Sequence, residues 1–352
     1  MRKNKDLAIV TQEDVASYAG VSRAVVSYVL NNGPRGVSEE TKNRVLAAIE
    51  ALGYRPNKHA QRLRLGDDVA RNSIGIIVGG KSYNLLERSY YNTLLATLFN
   101  SAHHLNQYIR FFTFFEALKD PVFFNKNIHR EEISSLLILL PSLILEDPEH
   151  KAIFPRIIER MDNVLCLETS IYDLPALVID LAEAAQMAVE HLIELGHQQI
   201  GFLALPDQQR IAGYKRALKA HNLPFEATLV RQLDSECLFT SAYELTTELI
   251  TTRPSLTAIL TANDDAAMAA LAAIYDLGFS VPQDFSLVSI DNTEVSNLIR
   301  PALTTVNIPI REMGEYALQL LLSLHNQTGI PPASLIFPTT LVVRESTSAP
   351  KT

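Results

Sequence analysis

Between Ser22 and Asn31 a guanidinium, two hydroxyls, a phenol and an amide recur at the spacing of one helical face: Ser22, Arg23, Ala24, Ser27, Tyr28 and Asn31. These residue types suit the edges of stacked bases. The fork of Arg23 can hydrogen-bond guanine O6 and N7 together, and Ala24 offers a methyl contact, for instance to thymine. Thr11, Ser38 and Thr41 stand where helices should begin, so their hydroxyls and neighbouring N–H groups can grip phosphates. Other groups invite metal or catalytic chemistry without sustaining it. His191 lies inside an amphipathic stretch and His197 at its end, positions that suit core and capping histidines. Asp264 and Asp265 are adjacent at a helix start and point in different directions, so stabilisation of that N-terminus explains them better than a catalytic pair. No glycine-rich phosphate loop, serine nucleophile elbow or zinc-ligand spacing occurs, and no enzyme, cofactor or metal is expected.

The elements that must carry Arg23 are short helices. Thr11-Gln12-Glu13-Asp14 has the form of a capping box with Asp in place of Glu, and Val15, Ala16 and Ala19 follow at helical spacing. Gly20 permits a tight turn, Ser22 can cap a second helix to about Asn31, and Val37-Ser38-Glu39-Glu40 opens a third that Gly53 stops. A helix, a glycine turn and a second helix over 11–31 make a helix-turn-helix, whose close crossing needs the small Ala16, Ala19 and Gly20. A helical bundle serving as a cap or oligomerisation arm is the alternative. Pro56 then breaks the chain, and Asn57 can cap one further short helix before a polar linker over 66–72.

Charge separates this head from the rest. The chain of 352 residues has a formal net charge of −8, yet residues 1–66 hold 11 Lys/Arg against 6 Asp/Glu, leaving a strongly acidic remainder. A small basic head on an acidic body points to a polyanion at one end. Two distant cysteines, Cys166 and Cys237, exclude a disulfide framework and favour a reducing compartment. No secretory signal or membrane span is read, so a cytoplasmic protein is expected.

From Ser73 onward the pattern changes. Short apolar runs at Ile74–Val78, Leu136–Leu140, Val164–Leu167, Ile200–Leu205, Ala258–Leu260 and Leu287–Ile290 read as buried strands. Helical stretches such as Ala184–Leu195, Gly213–His221 and Ala266–Leu277 lie between most of them, which predicts parallel sheets covered by helices.

Val10 to Ser22, with Val26-Ser27 and Val29-Leu30-Asn31, resembles the head of the LacI/GalR family of bacterial transcription regulators. So does Gly53-Tyr54-Arg55-Pro56-Asn57 followed by Ala60 and Leu63-Arg64. The resemblance implies a hinge helix after Pro56 that folds on the operator, with Leu63 as a minor-groove wedge and Asn57, Gln61 and Arg62 beside it. It also places Tyr54 and Ala60 among the DNA contacts, with Thr11, Ser22, Arg23, Ala24, Ser27, Tyr28, Asn31, Ser38 and Thr41. Tyr28 stands where many members carry Arg; it can hydrogen-bond a base or phosphate but cannot form a bidentate guanine pair.

Ala188 to His197 is similar to the family's two-lobed, periplasmic-binding-protein-like sensor. So are Asn263-Asp264 with Val281–Asp284 and Ser289–Asp291, and then Pro301–Val306, Glu312–Gly314 and Val343–Thr347. By that resemblance Arg210, Asn263 and Asp291 fall on effector positions, with Glu183 and Tyr90 as weaker candidates. A structural ion pair between Arg210 and Asp291 is the alternative. Arg88-Ser89-Tyr90-Tyr91 replaces the usual Asn-Pro-Phe-Phe, Ser134-Ser135 an Asp-Gly, Leu181 an Asn, and Ile308 a polar side chain. A site stripped of polar groups implies a ligand less polar than a sugar, or none.

The expected fold is α/β: a small all-α helix-turn-helix head joined by a hinge helix to a two-lobed, doubly wound parallel-sheet domain. The expected boundaries are head 1–56, hinge and linker 57–72, sensor 73–347 and tail 348–352. Within the sensor, the first lobe takes about 73–196 and 306–337, and the second about 197–305 and 338–347. The expected function is a homodimeric regulator, a repressor by the family's habit, on a near-palindromic operator in double-stranded DNA. It would be nucleoid-associated when bound and modulated by a sugar or related metabolite in the cleft between the lobes. Rival readings are a regulator answering to a corepressor or protein partner, a sugar-processing enzyme with a helical appendage, and a solute-binding transport component.

Overall fold

Thr11 starts the head by closing a capping box. Its hydroxyl accepts the Asp14 N–H at 3.3 Å, while the Asp14 carboxylate takes the Thr11 N–H at 2.7 Å. Helix α1 (Gln12–Ala19) ends at Gly20, whose φ of 64° lies in the left-handed region that a side chain resists. Helix α2 (Arg23–Asn31) follows with Ser22 at its cap position, the Ser22 carbonyl accepting the Val26 N–H. Ser38 caps α3 (Glu39–Leu52). Val15, Ala16, Ala19, Val26, Val45, Ala48, Ile49 and Tyr54 form one buried cluster, which is how three short helices become a domain.

The computed structural model describes residues 10–31, 37–54, 72–80, 86–325 and 334–351. The expected hinge residues Asn57, Ala60, Gln61, Arg62 and Leu63 lie outside the described residues, as does the side chain of Asn31.

Beyond the head the helices are α4 (Ser89–His104), α5 (Pro121–Asn127), α6 (Ser142–Glu146), α7 (Pro148–Arg160) and α8 (Leu181–Glu194). Then come α9 (Gln208–Ala220), α10 (Leu238–Thr252), α11 (Asp264–Asp276), α12 (Glu294–Leu298) and α13 (Ile310–His325). The first sheet holds β1 (Ser73–Val78), β2 (Tyr108–Phe114), β3 (Ser135–Leu139), β4 (Val164–Glu168), β5 (Ala176–Ile179) and β11 (Ser334–Phe337), in the order β11-β5-β4-β3-β1-β2. The second holds β6 (Ile200–Ala204), β7 (Val230–Gln232), β8 (Ala258–Thr261), β9 (Ser286–Asp291), β10 (Thr304–Asn307) and β12 (Thr340–Val342), in the order β12-β10-β9-β8-β6-β7. β1 pairs parallel with β2 and β3, β6 pairs parallel with β7 and β8, and β12 runs antiparallel to β10. In each sheet the strand order reverses beside its first strand, the mark of a doubly wound fold. Every apolar run expected to be a strand is one.

The chain divides into two compact units: 1–81 with 102–176 and 319–333, and 82–101 with 177–318 and 334–352. Within the first unit the head is not free-standing. Val122 of α5 packs on its core, the buried Asn125 side chain donates to the Ile49 carbonyl at 3.2 Å, and Arg156 of α7 pairs with Glu50 at 2.8 Å. Within the second unit α8 and α9 cross so closely that a Cβ on Gly213 would lie 2.0 Å from the Ala182 carbonyl oxygen. The residues after Thr347 are docked: the Ser348 carbonyl accepts from Ser286, and Lys351 reaches Asp284 at 2.5 Å.

Candidate functional site

Ser22, Arg23 and Ala24 are exposed at the start of α2, and Ser27 and Tyr28 are half-buried on its following turn. Arg23 is held from one side, its Nε donating to Gln12 Oε1 of α1 at 3.3 Å. At the start of α3 the Ser38 hydroxyl accepts the Thr41 N–H and donates to the Thr41 hydroxyl at 2.9 Å. The exposed start of that helix carries the positive end of its dipole. Tyr54 corrects an expectation. Expected at the DNA, it is 2% exposed with its ring in the head's core, because an aromatic ring after Gly53 covers Ile49 and Val45 better than it reaches solvent. Burial raises its phenol above the usual range, against a hydrogen bond from Gln12 and the nearby charge of Arg23.

The second sheet gathers a different set. Its neighbouring strands β6, β8 and β9 run parallel, so their carboxyl ends lie side by side. Arg210 stands in the first turn of α9, just past β6. Asn263 follows β8 and caps α11, its side-chain oxygen accepting the Ala266 N–H at 2.9 Å. Asp291 ends β9, 5% exposed and at a φ of 121°, a left-handed value that costs an aspartate about 1–3 kcal/mol and is found mostly at functional sites. Carboxyl ends of parallel strands next to an order reversal are where such folds bind ligands.

Arg210 pairs with Asp207, at 2.9 Å, rather than forming the alternative ion pair with Asp291. The capping geometry explains this: the Asp207 carboxylate also takes the Arg210 backbone N–H, so the side chain folds back one turn onto its own cap. Its Nε is buried and without a partner among the described residues, so one donor stays available to a ligand. Glu183 and Tyr90 come instead from the first turns of α8 and α4; Glu183 is exposed, and Tyr90 is 7% exposed with its ring edge-on to Tyr91.

Two residues that the sequence did not single out share the strained strand-end geometry. Glu168 ends β4 at a φ of 76°, and Leu140 follows β3 at 49°. Only their place at a strand end signals them.

Residues 11–57 match the bacterial regulatory proteins of the lacI family, and residues 189–347 match the periplasmic binding protein-like domain. The chain is 30% identical to the HTH-type transcriptional regulator GalR of Escherichia coli, over 97% of both chains. It is also 30% identical to the lactose operon repressor of that organism, over 97% of this chain and 92% of the relative. The chain belongs to the lacI family. Its fold matches the crystal structure of the lac repressor dimer bound to operator and the anti-inducer ONPF with a TM-score of 0.67 and 29% identity, over 97% of this chain and 99% of that one.

In this lacI-family chain the two aspartates at the start of α11 do more than stabilise a helix end. Asp264, 1% exposed, accepts from the Ser289 hydroxyl, from Thr305 at 2.8 Å, and from the N–H and hydroxyl of Thr293 at 2.7 and 2.9 Å. Burial raises its carboxyl above the usual range against these four bonds. Asp265 takes the Ser89 N–H and hydroxyl at 3.0 and 2.6 Å and so anchors the start of α4. Glu116, Asp147 and His150 bring ligand-type atoms within 4.8 Å of one another, but each carboxylate is already engaged. Glu116 bonds His150 and Lys119, and Asp147 caps α7.

His191 and His197 are structural, as the sequence indicated. His191 bonds Thr347 at 3.0 Å. His197, 1% exposed, donates from Nε2 to the Ser348 carbonyl at 2.9 Å and faces the Thr257 hydroxyl with Nδ1 at 2.8 Å. Burial lowers its pKa, with the neighbouring His191 acting in the same direction. A folded-state pKa below the unfolded value gives stability that is present above about 6.5 and lost as pH falls through the folded value. The Tm is therefore expected to fall as melts are taken from about pH 7.5 to 5.5. His197→Gln, which cannot charge, should remove that part of the drop; an unchanged pH dependence in the variant would count against the assignment.

Proposed function

We propose that this chain is a sequence-specific transcription repressor that binds a near-palindromic operator as a dimer and answers to a small metabolite in its sensor. One observation carries the reading: an exposed α2 and a doubly wound sensor lie in one chain that aligns end to end with the operator-bound lac repressor dimer. Two heads related by a two-fold axis place their second helices in successive major grooves, which requires near-palindromic DNA. Arg23 reads a base edge, Ser22, Ala24, Ser27, Tyr28 and Asn31 flank it, and the starts of α1 and α3, with Thr11, Ser38 and Thr41, hold phosphates. The hinge over 57–72, with Leu63 as its wedge, completes the grip on bent DNA.

The second unit supports dimer formation through exposed apolar side chains on α10 to α12. Leu298 is 66% exposed, and Tyr243 and Tyr275 are tethered through their hydroxyls to Asp276 and the Arg300 carbonyl. Covering such a face is the ordinary use of a second copy. Arg210, Asn263 and Asp291 hold the metabolite, a sugar or a related but less polar compound, since the buried Ile308 brings no hydrogen-bonding group to the start of α13. Binding there shifts operator affinity by about 5- to 150-fold, the usual range of allosteric coupling. The protein acts by binding rather than catalysis, in the cytoplasm. No helix among the described residues is long and apolar enough to cross a membrane.

Selection from a pool of random duplexes at two salt concentrations tests the reading. Enrichment of a near-palindrome supports it and supplies the operator for a metabolite screen. Salt-sensitive retention with no sequence preference would leave only a basic appendage and overturn it.

A further inference from the structure

A residue of α1 stands between the head's core and its exposed arginine. Gln12 is half-buried, and its amide oxygen accepts the Arg23 Nε–H at 3.3 Å. The hydroxyl of Tyr54 lies near the same side chain, with its ring 2% exposed among Val15, Val45 and Ile49. The polarity of this chain of contacts follows from the donors available. A guanidinium only donates, so it takes the amide oxygen. The amide NH2 is then the group left to donate toward the Tyr54 oxygen. The route therefore runs from a ring that cannot move, through an amide with one allowed orientation, to the inner nitrogen of Arg23.

Occupying Nε leaves the two terminal nitrogens of Arg23 free at the exposed end of the fork. Those two groups can meet guanine O6 and N7 together. An arginine on a surface helix otherwise samples many rotamers, and ordering one on binding costs affinity equivalent to about 3- to 10-fold. Holding it beforehand moves that cost from binding to folding.

We propose that Gln12 is a positioning residue for DNA readout: braced by the Tyr54 hydroxyl, it holds Arg23 with its terminal nitrogens presented to one guanine in each operator half-site. The inference rests on the reading of α2 as the operator-reading helix. Gln12 itself touches no base. Its effect is on preference at a single base pair, not on general grip, because phosphate contacts come from the helix starts.

The test compares full-length wild type, Gln12→Met, Gln12→Glu and Tyr54→Phe by sequencing the duplexes each retains from a random pool, with salt titrations on the selected operator. In wild type one guanine per half-site is selected, and it is lost in Arg23→Ala. Gln12→Met keeps the volume and the stem but removes the acceptor. It should lower the preference for that guanine by about 3- to 10-fold while leaving other positions and the salt slope unchanged. Gln12→Glu restores an acceptor for Nε and should recover the preference. Tyr54→Phe keeps the buried ring, loses only the brace, and should show a smaller loss at the same position. Unchanged guanine preference in Gln12→Met, or a loss spread evenly over all positions, overturns the inference while the regulator reading stands. If wild type selects no near-palindrome, the regulator reading itself falls. Far-UV circular dichroism melts of each variant separate a folding defect, expected in none, from lost readout.

Discussion

Replacing Arg23 with alanine is expected to abolish most operator preference at a much smaller cost to general DNA affinity. A bidentate arginine–guanine pair discriminates by about 1–3 kcal/mol, and a dimer makes the contact twice, so the selected operator should weaken by roughly 30-fold or more. The residue is exposed on α2 and touches the head through the Gln12 contact, so its removal opens no cavity and should leave the fold intact. Arg23→Lys is the sharper variant. It keeps the charge, and with it most of the phosphate attraction, but loses the planar fork. Gel-shift or anisotropy titrations on selected and scrambled duplexes check this. The expected result is a collapse in the ratio of the two affinities for both variants, with only Arg23→Ala lowering affinity for scrambled DNA. An equal loss on both duplexes would make Arg23 a phosphate contact and move base reading to Ser27 or Tyr28.

Asp264 carries the largest expected effect on stability. Four donors converge on its two oxygens, and it sits 1% exposed between β9, β10 and the start of α12. Truncation to alanine strands an N–H and several hydroxyls in the interior and should cost about 3–5 kcal/mol. Asp264→Asn should be nearly as harmful, because one carboxylate oxygen becomes an NH2 facing donors. Urea titration followed by tyrosine fluorescence, with 12 tyrosines and no tryptophan in the chain, reads this out. The transition of the second unit should move down by about 1 M or more. A midpoint within about 0.3 M of wild type would show that the network is dispensable. Head-dependent affinity for scrambled DNA at low urea should survive either change, since the head folds around its own buried cluster.

Elements that obey local rules were legible from residue order alone. Thr11, Gly20, Ser38 and Gly53 bound the head's helices through caps and left-handed turns that depend only on residues a few positions away. The strands it announced, such as β1, β3, β8 and β9, are those covered on both faces, where continuous apolar runs are required. Of the strands it did not announce, β2, β7, β11 and β12 stand at the edges of their sheets, while β5 and β10 are interior strands of four residues. β2 begins with the exposed Tyr108 and carries Arg110 paired to Glu132, and β7 and β12 have three residues each. A sheet edge mixes polar and apolar residues because one side faces solvent, so its run is broken in the sequence. The family resemblance brought Arg210, Asn263 and Asp291 into view, and strand order put them at neighbouring carboxyl ends. Tertiary structure alone decided what each side chain bonds. Tyr54 turned inward, Gln12 came to lie beside Arg23, and Asn125 and Arg156 met the head from far along the chain. Those partners are chosen by which groups the packed helices and strands bring within about 3 Å. No local pattern encodes that proximity, because it is set by the apolar core and only afterwards satisfied by the polar groups around it.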